Sequence, residues 1–139
     1  MKYTFILFIL FQTSLAFSQS GQLAKGDFYF EKQGYFEAIG CFERVLGSEF
    51  DSPEMQQKLA YCYNFCGEFS KAETLYKKLI AKKPEPQLLY QLAYSLARQN
   101  KNDEANAYFQ QFATANPTDL RAQLFLKDPG YLVKLMAQE

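Results

Sequence analysis

The acidic side chains are the first candidates for chemistry. Asp27 and Glu31 stand four residues apart, one helical turn, and Asp103 and Glu104 are adjacent. Two carboxylates can share acid and base work in glycoside cleavage, but only across a substrate cleft that pushes their pKa values apart. Here one pair falls on a helix face and the other at a helix start, where acids are ordinary partners of the helix dipole. Ser70 and Lys71 are adjacent rather than at the Ser-x-x-Lys spacing of a serine–lysine nucleophile. The chain has no His, which removes His-based triads, His general bases and His-containing zinc sites. Cys62 and Cys66 lie one turn apart on one helix, which is poor disulfide geometry. A Cys41–Cys62 bridge between stacked helices is one reading, and small buried thiols in a helical interface are the other. No catalytic constellation assembles, so the chain is read as a non-enzyme that needs neither metal nor cofactor.

The chain is 139 residues long, 48% hydrophobic and 17% aromatic, with 15 Lys and Arg against 15 Asp and Glu. That length suits one domain or a few small repeats around an apolar core. Zero net charge argues against a nucleic-acid partner, which calls for a basic excess. Lys2 followed by the apolar run Phe5-Ile6-Leu7-Phe8-Ile9-Leu10-Phe11, and then Ala16-Phe17-Ser18, has the layout of a secretory signal. Residues 1–18 are therefore read as a signal peptide cleaved before Gln19. A membrane span is the competing reading, but Gln12-Thr13-Ser14 interrupts a run already short for a bilayer. With no Cys near the cleavage point, a lipid anchor is not indicated. The expectation is an exported, periplasmic protein.

Three segments of the remaining chain repeat one another. Ala38, Ala72 and Ala105 are spaced 34 and then 33 residues apart, and an aromatic follows each by four: Phe42, Tyr76 and Phe109. Val45, Leu79 and Phe112 come three later; Gly26, Ala60 and Ala93 lie twelve before each Ala, with Tyr29, Tyr63 and Leu96 three beyond them. Small residues let antiparallel helices approach, and large ones at i+3 and i+4 fill the gaps. Ser52-Pro53-Glu54 is a helix start, with a capping hydroxyl, Pro in the first turn and an early acid.

This spacing resembles the tetratricopeptide repeat, a helix-turn-helix unit of 34 residues. The usual Trp is absent from each unit, and Lys25 stands where a Leu would precede Gly26. The resemblance implies an all-α fold, a right-handed superhelical solenoid of about three helix-turn-helix repeats over residues 19–52, 53–85 and 86–118. Residues 119–139 are expected to be C-terminal capping helices, since an open solenoid end must be covered. Asp128-Pro129-Gly130 is expected to break that cap, leaving Tyr131-Leu132-Val133-Lys134-Leu135-Met136 as a last short helix.

Each first helix carries a second stripe besides its packing face. In the second repeat it is Gln57, Tyr61, Asn64 and Phe65; in the third it is Tyr90, Tyr94, Ala97 and Arg98. Asp27, Phe30 and Glu31 stand at corresponding places in the first. The resemblance implies that these positions line a concave groove for peptide ligands. Their chemistry suits an extended segment: aromatic rings give apolar contact at low entropic cost, Asn64 and Tyr hydroxyls bond backbone, and Arg98 clamps a carboxylate. The other reading is that the C-terminal helices or a neighbouring domain cover these aromatics.

Ala24-Lys25-Gly26-Asp27-Phe28-Tyr29-Phe30-Glu31, Tyr35-Phe36-Glu37-Ala38-Ile39, Gln57-Lys58-Leu59-Ala60-Tyr61-Cys62-Tyr63-Asn64 and Asn116-Pro117-Thr118-Asp119-Leu120-Arg121-Ala122-Gln123-Leu124-Phe125 are similar to the tetratricopeptide region of OmpA-family envelope proteins from Bacteroidota. That family continues into a β-propeller and an OmpA-like domain that holds peptidoglycan, and some members serve type IX secretion or gliding. The peptidoglycan-gripping residues have no counterparts in this sequence. The expectation is a non-catalytic adaptor for a protein or peptide partner in the cell envelope. The alternative is a docking module of an outer-membrane assembly: a lone adaptor if 139 residues are the whole protein, one end of a larger anchor if they are a fragment.

Overall fold

The computed structural model describes residues 2–138, with side chains from Phe17 onward except Leu132. The signal-peptide reading of residues 1–18 thus falls, Phe17 and Ser18 apart, outside the described side chains. Among the described residues the regular structure is entirely helical. The helices are α1 (Lys2–Glu31), α2 (Tyr35–Glu43), α3 (Pro53–Phe65), α4 (Phe69–Lys82), α5 (Pro86–Arg98), α6 (Asn102–Ala115), α7 (Leu120–Lys127) and α8 (Pro129–Gln138). The chain divides into two compact units, residues 1–62 and 63–139, with the boundary inside α3. Among the described residues no helix is long and apolar enough to cross a membrane.

One turn recurs three times at the repeat spacing. Gln33, Gly67 and Asn100 adopt left-handed backbone, with φ of 60°, 79° and 59°. After each, an N–H reaches back five residues: Gly34 to the Tyr29 carbonyl at 2.8 Å, Glu68 to Tyr63 at 2.8 Å, and Lys101 to Leu96 at 3.0 Å. This is a Schellman ending, which satisfies carbonyls the helix leaves over and reverses the chain. Gly67 adopts this conformation at no steric cost and Asn100 is the kind of side chain that tolerates it; Gln33 adopts it against the usual preference.

The spaced residues then close the hairpins. Ala38, Ala72 and Ala105 are fully buried, as are Phe42, Val45 and Phe109, with Tyr76 and Phe112 nearly so. In residues 1–62, α1 packs on α2 so closely that a Cβ on Gly26 would lie 2.6 Å from the Phe42 ring. The helix α2 stops at Glu43, and a looser segment follows. There Gly47, at φ 81°, donates its N–H to the Asp51 carboxylate at 2.8 Å, and Gln56 on α3 donates to the same carboxylate at 2.6 Å. The Ser52 hydroxyl accepts the Met55 N–H at 3.1 Å, so the cap expected from sequence forms.

In residues 63–139, α5 packs on α4 and α6, α6 packs on α7, and α8 returns against α5, α6 and α7. The expected break at Asp128-Pro129-Gly130 is a single residue. Asp128 caps α8 by accepting the Tyr131 N–H at 3.0 Å, while Pro129 and Gly130 lie inside the first turn, where a missing N–H costs nothing. Cys41 is a free, buried thiol, so the Cys41–Cys62 bridge does not form; Cys62 is buried and Cys66 exposed.

Candidate functional site

The face in residues 1–62 is built from α1, the start of α2, and α3. The rings of Phe30, Tyr35 and Tyr61 meet edge-on, with centroids 5.8, 5.8 and 5.6 Å apart. Such triads hold their rings in fixed orientation and contribute beyond simple burial. Burial pushes the Tyr35 phenol pKa upward, and the neighbouring Tyr61 adds to the shift. Lys58 reaches from α3 to the Asp27 carboxylate at 2.6 Å, and its ammonium stands 5.8 Å from the Phe30 ring centre. The cation is thereby neutralised where it meets the rings. Tyr61 keeps 37% of its surface exposed, Gln57 one turn before it is half-buried, and Glu31 is exposed. Asp27 and Glu31 do not enclose a substrate position, because Asp27 is engaged by Lys58 and Glu31 faces solvent.

Asn64 departs from the role expected of it. It is buried, accepts the Ser95 hydroxyl at 2.6 Å, and donates to the Gln91 carbonyl at 3.3 Å. Its amide therefore joins α3 to α5, and a ligand backbone would have to break that bond first. Phe65, one residue on, is 69% exposed.

On the α5 stripe Ala97 is buried, while Tyr90, Tyr94 and Arg98 are half-buried against neighbouring helices. Tyr90 meets Phe109 and Phe112 of α6 at 5.7 and 5.3 Å, and the Arg121 guanidinium lies 4.2 Å over its ring. Arg121 is held in place by Asp119, whose carboxylate caps α7 through the Arg121 N–H at 2.8 Å and accepts its side chain at 2.7 and 3.0 Å. Those bonds from Arg121 hold the Asp119 carboxyl down at about 2. Tyr94 meets Phe69 edge-on at 6.2 Å, and Arg98 stacks 5.1 Å over the same Phe69 ring. Arg98, expected to clamp a ligand carboxylate, instead donates to the Met136 carbonyl of α8 at 3.3 Å.

The strongest charge network lies elsewhere. Glu73 on α4 accepts from Lys77 at 2.6 Å, Lys101 at 2.8 Å and Gln99 at 2.9 Å. Burial opposes its ionisation, yet the bonds from Lys101, Lys77 and Gln99 hold its carboxyl at about 2. Ser70 donates to Gln99 at 3.0 Å and Lys71 pairs with Glu68 at 2.6 Å, so both members of that sequence pair are taken up in packing the turns. Asp103 and Glu104 are exposed in the first turn of α6, and Glu104 lies 3.5 Å from Lys77. Among the described residues, no three His, Cys, Asp or Glu side chains gather as a metal site.

The structure thus brings Asp27, Phe30 and Tyr61 together, and separately Tyr94 with Arg98. Sequence reasoning missed Tyr35, Lys58, Phe69 and Arg121. Tyr35 follows the turn instead of lying on a first-helix stripe. Lys58 lies one helical turn before Tyr61, the repeat counterpart of Asp27, and nothing in the stripe pattern singled it out.

A model of the family described as anaphase-promoting complex, cyclosome, subunit 3 matches residues 31–112, more than half of the chain. No curated protein sequence matches it. Among solved structures, the first TPR (tetratricopeptide-repeat) domain of Spaghetti (RPAP3) bound to the HSP90 peptide SRMEEVD is similar, with a TM-score of 0.68 and 19% identity over 86% of this chain and 94% of that one. The second TPR domain of human RPAP3, in complex with an HSP70 peptide, gives 0.66 and 18% over 88% and 97%. PcrH from Pseudomonas aeruginosa gives 0.63 and 13% over 86% and 91%. At such identities these likenesses speak for the fold, and the fold is that of a tetratricopeptide-repeat domain.

Proposed function

We propose that this chain, which belongs to the family described as anaphase-promoting complex, cyclosome, subunit 3, is a non-catalytic protein-interaction module that holds a segment of a partner protein. One observation carries the reading: the partly exposed ring triad of Phe30, Tyr35 and Tyr61 beside the self-neutralised Asp27–Lys58 pair. Fixed rings with polar tips and no net charge suit an apolar or aromatic anchor residue, as at binding hot spots. The peptides bound by the RPAP3 domains support the reading by analogy of fold. Panning a phage-displayed library of short random peptides tests it. Enriched peptides should lose ~10-fold or more in affinity when Tyr61→Ala or Phe30→Ala removes a hot-spot ring, with helix content unchanged. Binders indifferent to both substitutions would place recognition elsewhere and sink the reading.

Export belongs to the same proposal. The helix α1 spans 30 residues, whereas α3 and α5 span 13 each. Cleavage before Gln19 would leave Gln19–Glu31 of α1, the same 13 residues. The matched length favours a signal peptide that ends where the first repeat begins. N-terminal sequencing of the cell-derived protein tests this, and a chain that still begins at Met1 would refute it. The setting would then be the periplasm. A permanent place in an outer-membrane assembly is favoured by the exposed Leu120, Leu124, Tyr131 and Leu135 of the last two helices. Co-purification with the outer-membrane fraction supports that setting, and recovery as a soluble periplasmic species speaks against it.

A further inference from the structure

The helix α8 packs against α5, the helix that carries Tyr94 and Arg98. Its Val133 and Met136, three residues apart, are 3% and 5% exposed, while Tyr131 and Leu135 on its other side stay 55% and 43% exposed. Met136 is in the last turn, so its carbonyl is one that the helix cannot satisfy internally. Arg98 donates to that carbonyl at 3.3 Å, a cation at the negative end of a helix dipole. Phe69 lies beneath the guanidinium at 5.1 Å, and Tyr94 holds Phe69 edge-on. Together these groups form a receptor for the C-terminal turn of a short amphipathic helix.

The fit leaves something over. The Arg98 Nε is buried with no hydrogen-bond acceptor, which costs free energy that a better ligand would recover. A carboxylate at the end of the bound helix could accept from Nε as well as from the terminal nitrogen, in the paired geometry that guanidinium favours. The attachment of α8 is also economical: one residue, Asp128, separates it from α7. So short a tether gives an effective concentration in the millimolar range, enough to hold a weak occupant in place.

We infer that α8 is a resident ligand of the α5 face, and that the partner this face fits is a short amphipathic helix with two apolar residues three apart and a carboxylate at its C-terminal end. Such a partner binds by displacing α8. The inference rests on the interaction-module reading but concerns a different face from the ring triad, so the two fail separately.

The test uses the full chain with Val133→Asp and Met136→Asp, which releases α8, and a fluorescein-labelled synthetic peptide of residues 129–138 as probe. Circular dichroism first establishes that the variant keeps its remaining helices. The released chain should bind the peptide at least ~10-fold more tightly than the unsubstituted chain, in which tethered α8 competes. Arg98→Ala in the released chain should weaken binding ~10-fold through loss of a charged hydrogen bond, and a peptide with a free C-terminal carboxylate should bind better than its amide. A folded, released chain that ignores the peptide overturns the inference, as does equal binding by released and unsubstituted chains. If the variant loses its fold, hydrogen exchange in the unsubstituted chain decides. Amides of α8 that open at least ~10-fold more often than those of α5 support an exchangeable occupant. Exchange of the two helices together, at the rate of global unfolding, makes α8 part of the core and refutes it. Peptides selected against the ring triad keep their affinity in every one of these variants.

Discussion

In residues 1–62 the rings of Phe30, Tyr35 and Tyr61 lean on one another and Tyr61 stays partly in solvent. In residues 63–139 Tyr94 takes the repeat position of Tyr61 and Tyr90 that of Gln57; Arg121 lies over the Tyr90 ring, and Phe69 meets Tyr94 edge-on. The first face gathers one ring each from α1, α2 and α3, whereas Tyr90 and Tyr94 stand one turn apart on α5. In the second, Arg121 at the start of α7 lies over Tyr90 and α8 packs against α5. An amphipathic stripe therefore specifies that a surface will be buried by something; the segments that follow decide whether the something is internal.

The sharpest way to break this contrast is to remove the floor under the covered face. Phe109 is fully buried and joins α5 to α7, with Tyr90 at 5.7 Å and Phe125 at 5.6 Å. Phe109→Ala should cost about 3–5 kcal/mol, read as a fall in the urea midpoint. Hydrogen exchange should accelerate across α5–α7 first. If the ring triad in residues 1–62 loosened equally, the two faces would not be separately maintained.

Acid should act next, again on residues 63–139. The Glu73 carboxyl is held at about 2 against an ordinary 4.5. A depressed folded value means that its contribution is complete above pH ~4.5 and is lost as pH falls toward 2. The shift corresponds to on the order of 2 kcal/mol, allowing for lysine partners that are partly exposed and screened. Glu73→Gln should flatten the fall of stability with acid over that window. A variant as acid-sensitive as the parent would mean that other carboxylates set the slope.

The counterpart in residues 1–62 is Gly26→Ala. Its new Cβ would meet the Phe42 ring at 2.6 Å, and overpacking of this kind costs about 1–3 kcal/mol. Better helix propensity returns about 1 kcal/mol of that. A net loss near 1 kcal/mol in thermal unfolding is expected, with the Arg98–Met136 contact unaffected. A neutral or stabilising outcome would show that α1 and α2 can separate without cost.

How far each feature could be read in advance follows from the range of the interaction that fixes it. Ala38, Ala72 and Ala105 with their following aromatics declare the hairpins because the pattern is local and repeats. Gly67 and Asn100 are residues that suit their turns, whereas Gln33 adopts the same left-handed backbone because the helices on either side require it. The stripes of Phe30, Tyr61, Tyr90 and Tyr94 were legible as surfaces. Their fates were not, since Asn64 meets Ser95 across 31 residues and Arg98 meets Met136 across 38. Nothing in a helical period encodes which distant segment returns. Lys58 shows the same limit: its type suggests a free cation, and only the approach of α3 to α1 spends it on Asp27.

The smallest expected effect tests the edge of the cover. Asp119 does two jobs, capping α7 through the Arg121 N–H and holding the Arg121 side chain over Tyr90. Asp119→Ala removes both and should cost about 1 kcal/mol, as cap losses do. Asp119→Asn keeps a capping oxygen but removes the charge, and should cost only a few tenths, since partly exposed ion pairs contribute little. Hydrogen exchange then separates the roles. In Asp119→Ala the first amides of α7 should open faster, while in Asp119→Asn they should stay protected. If Asn proves as damaging as Ala, the Arg121 ion pair fixes the covered face. If the cap alone matters, Arg121 stays on the Tyr90 ring through stacking, and the difference between the two faces rests on helix placement more than on charge.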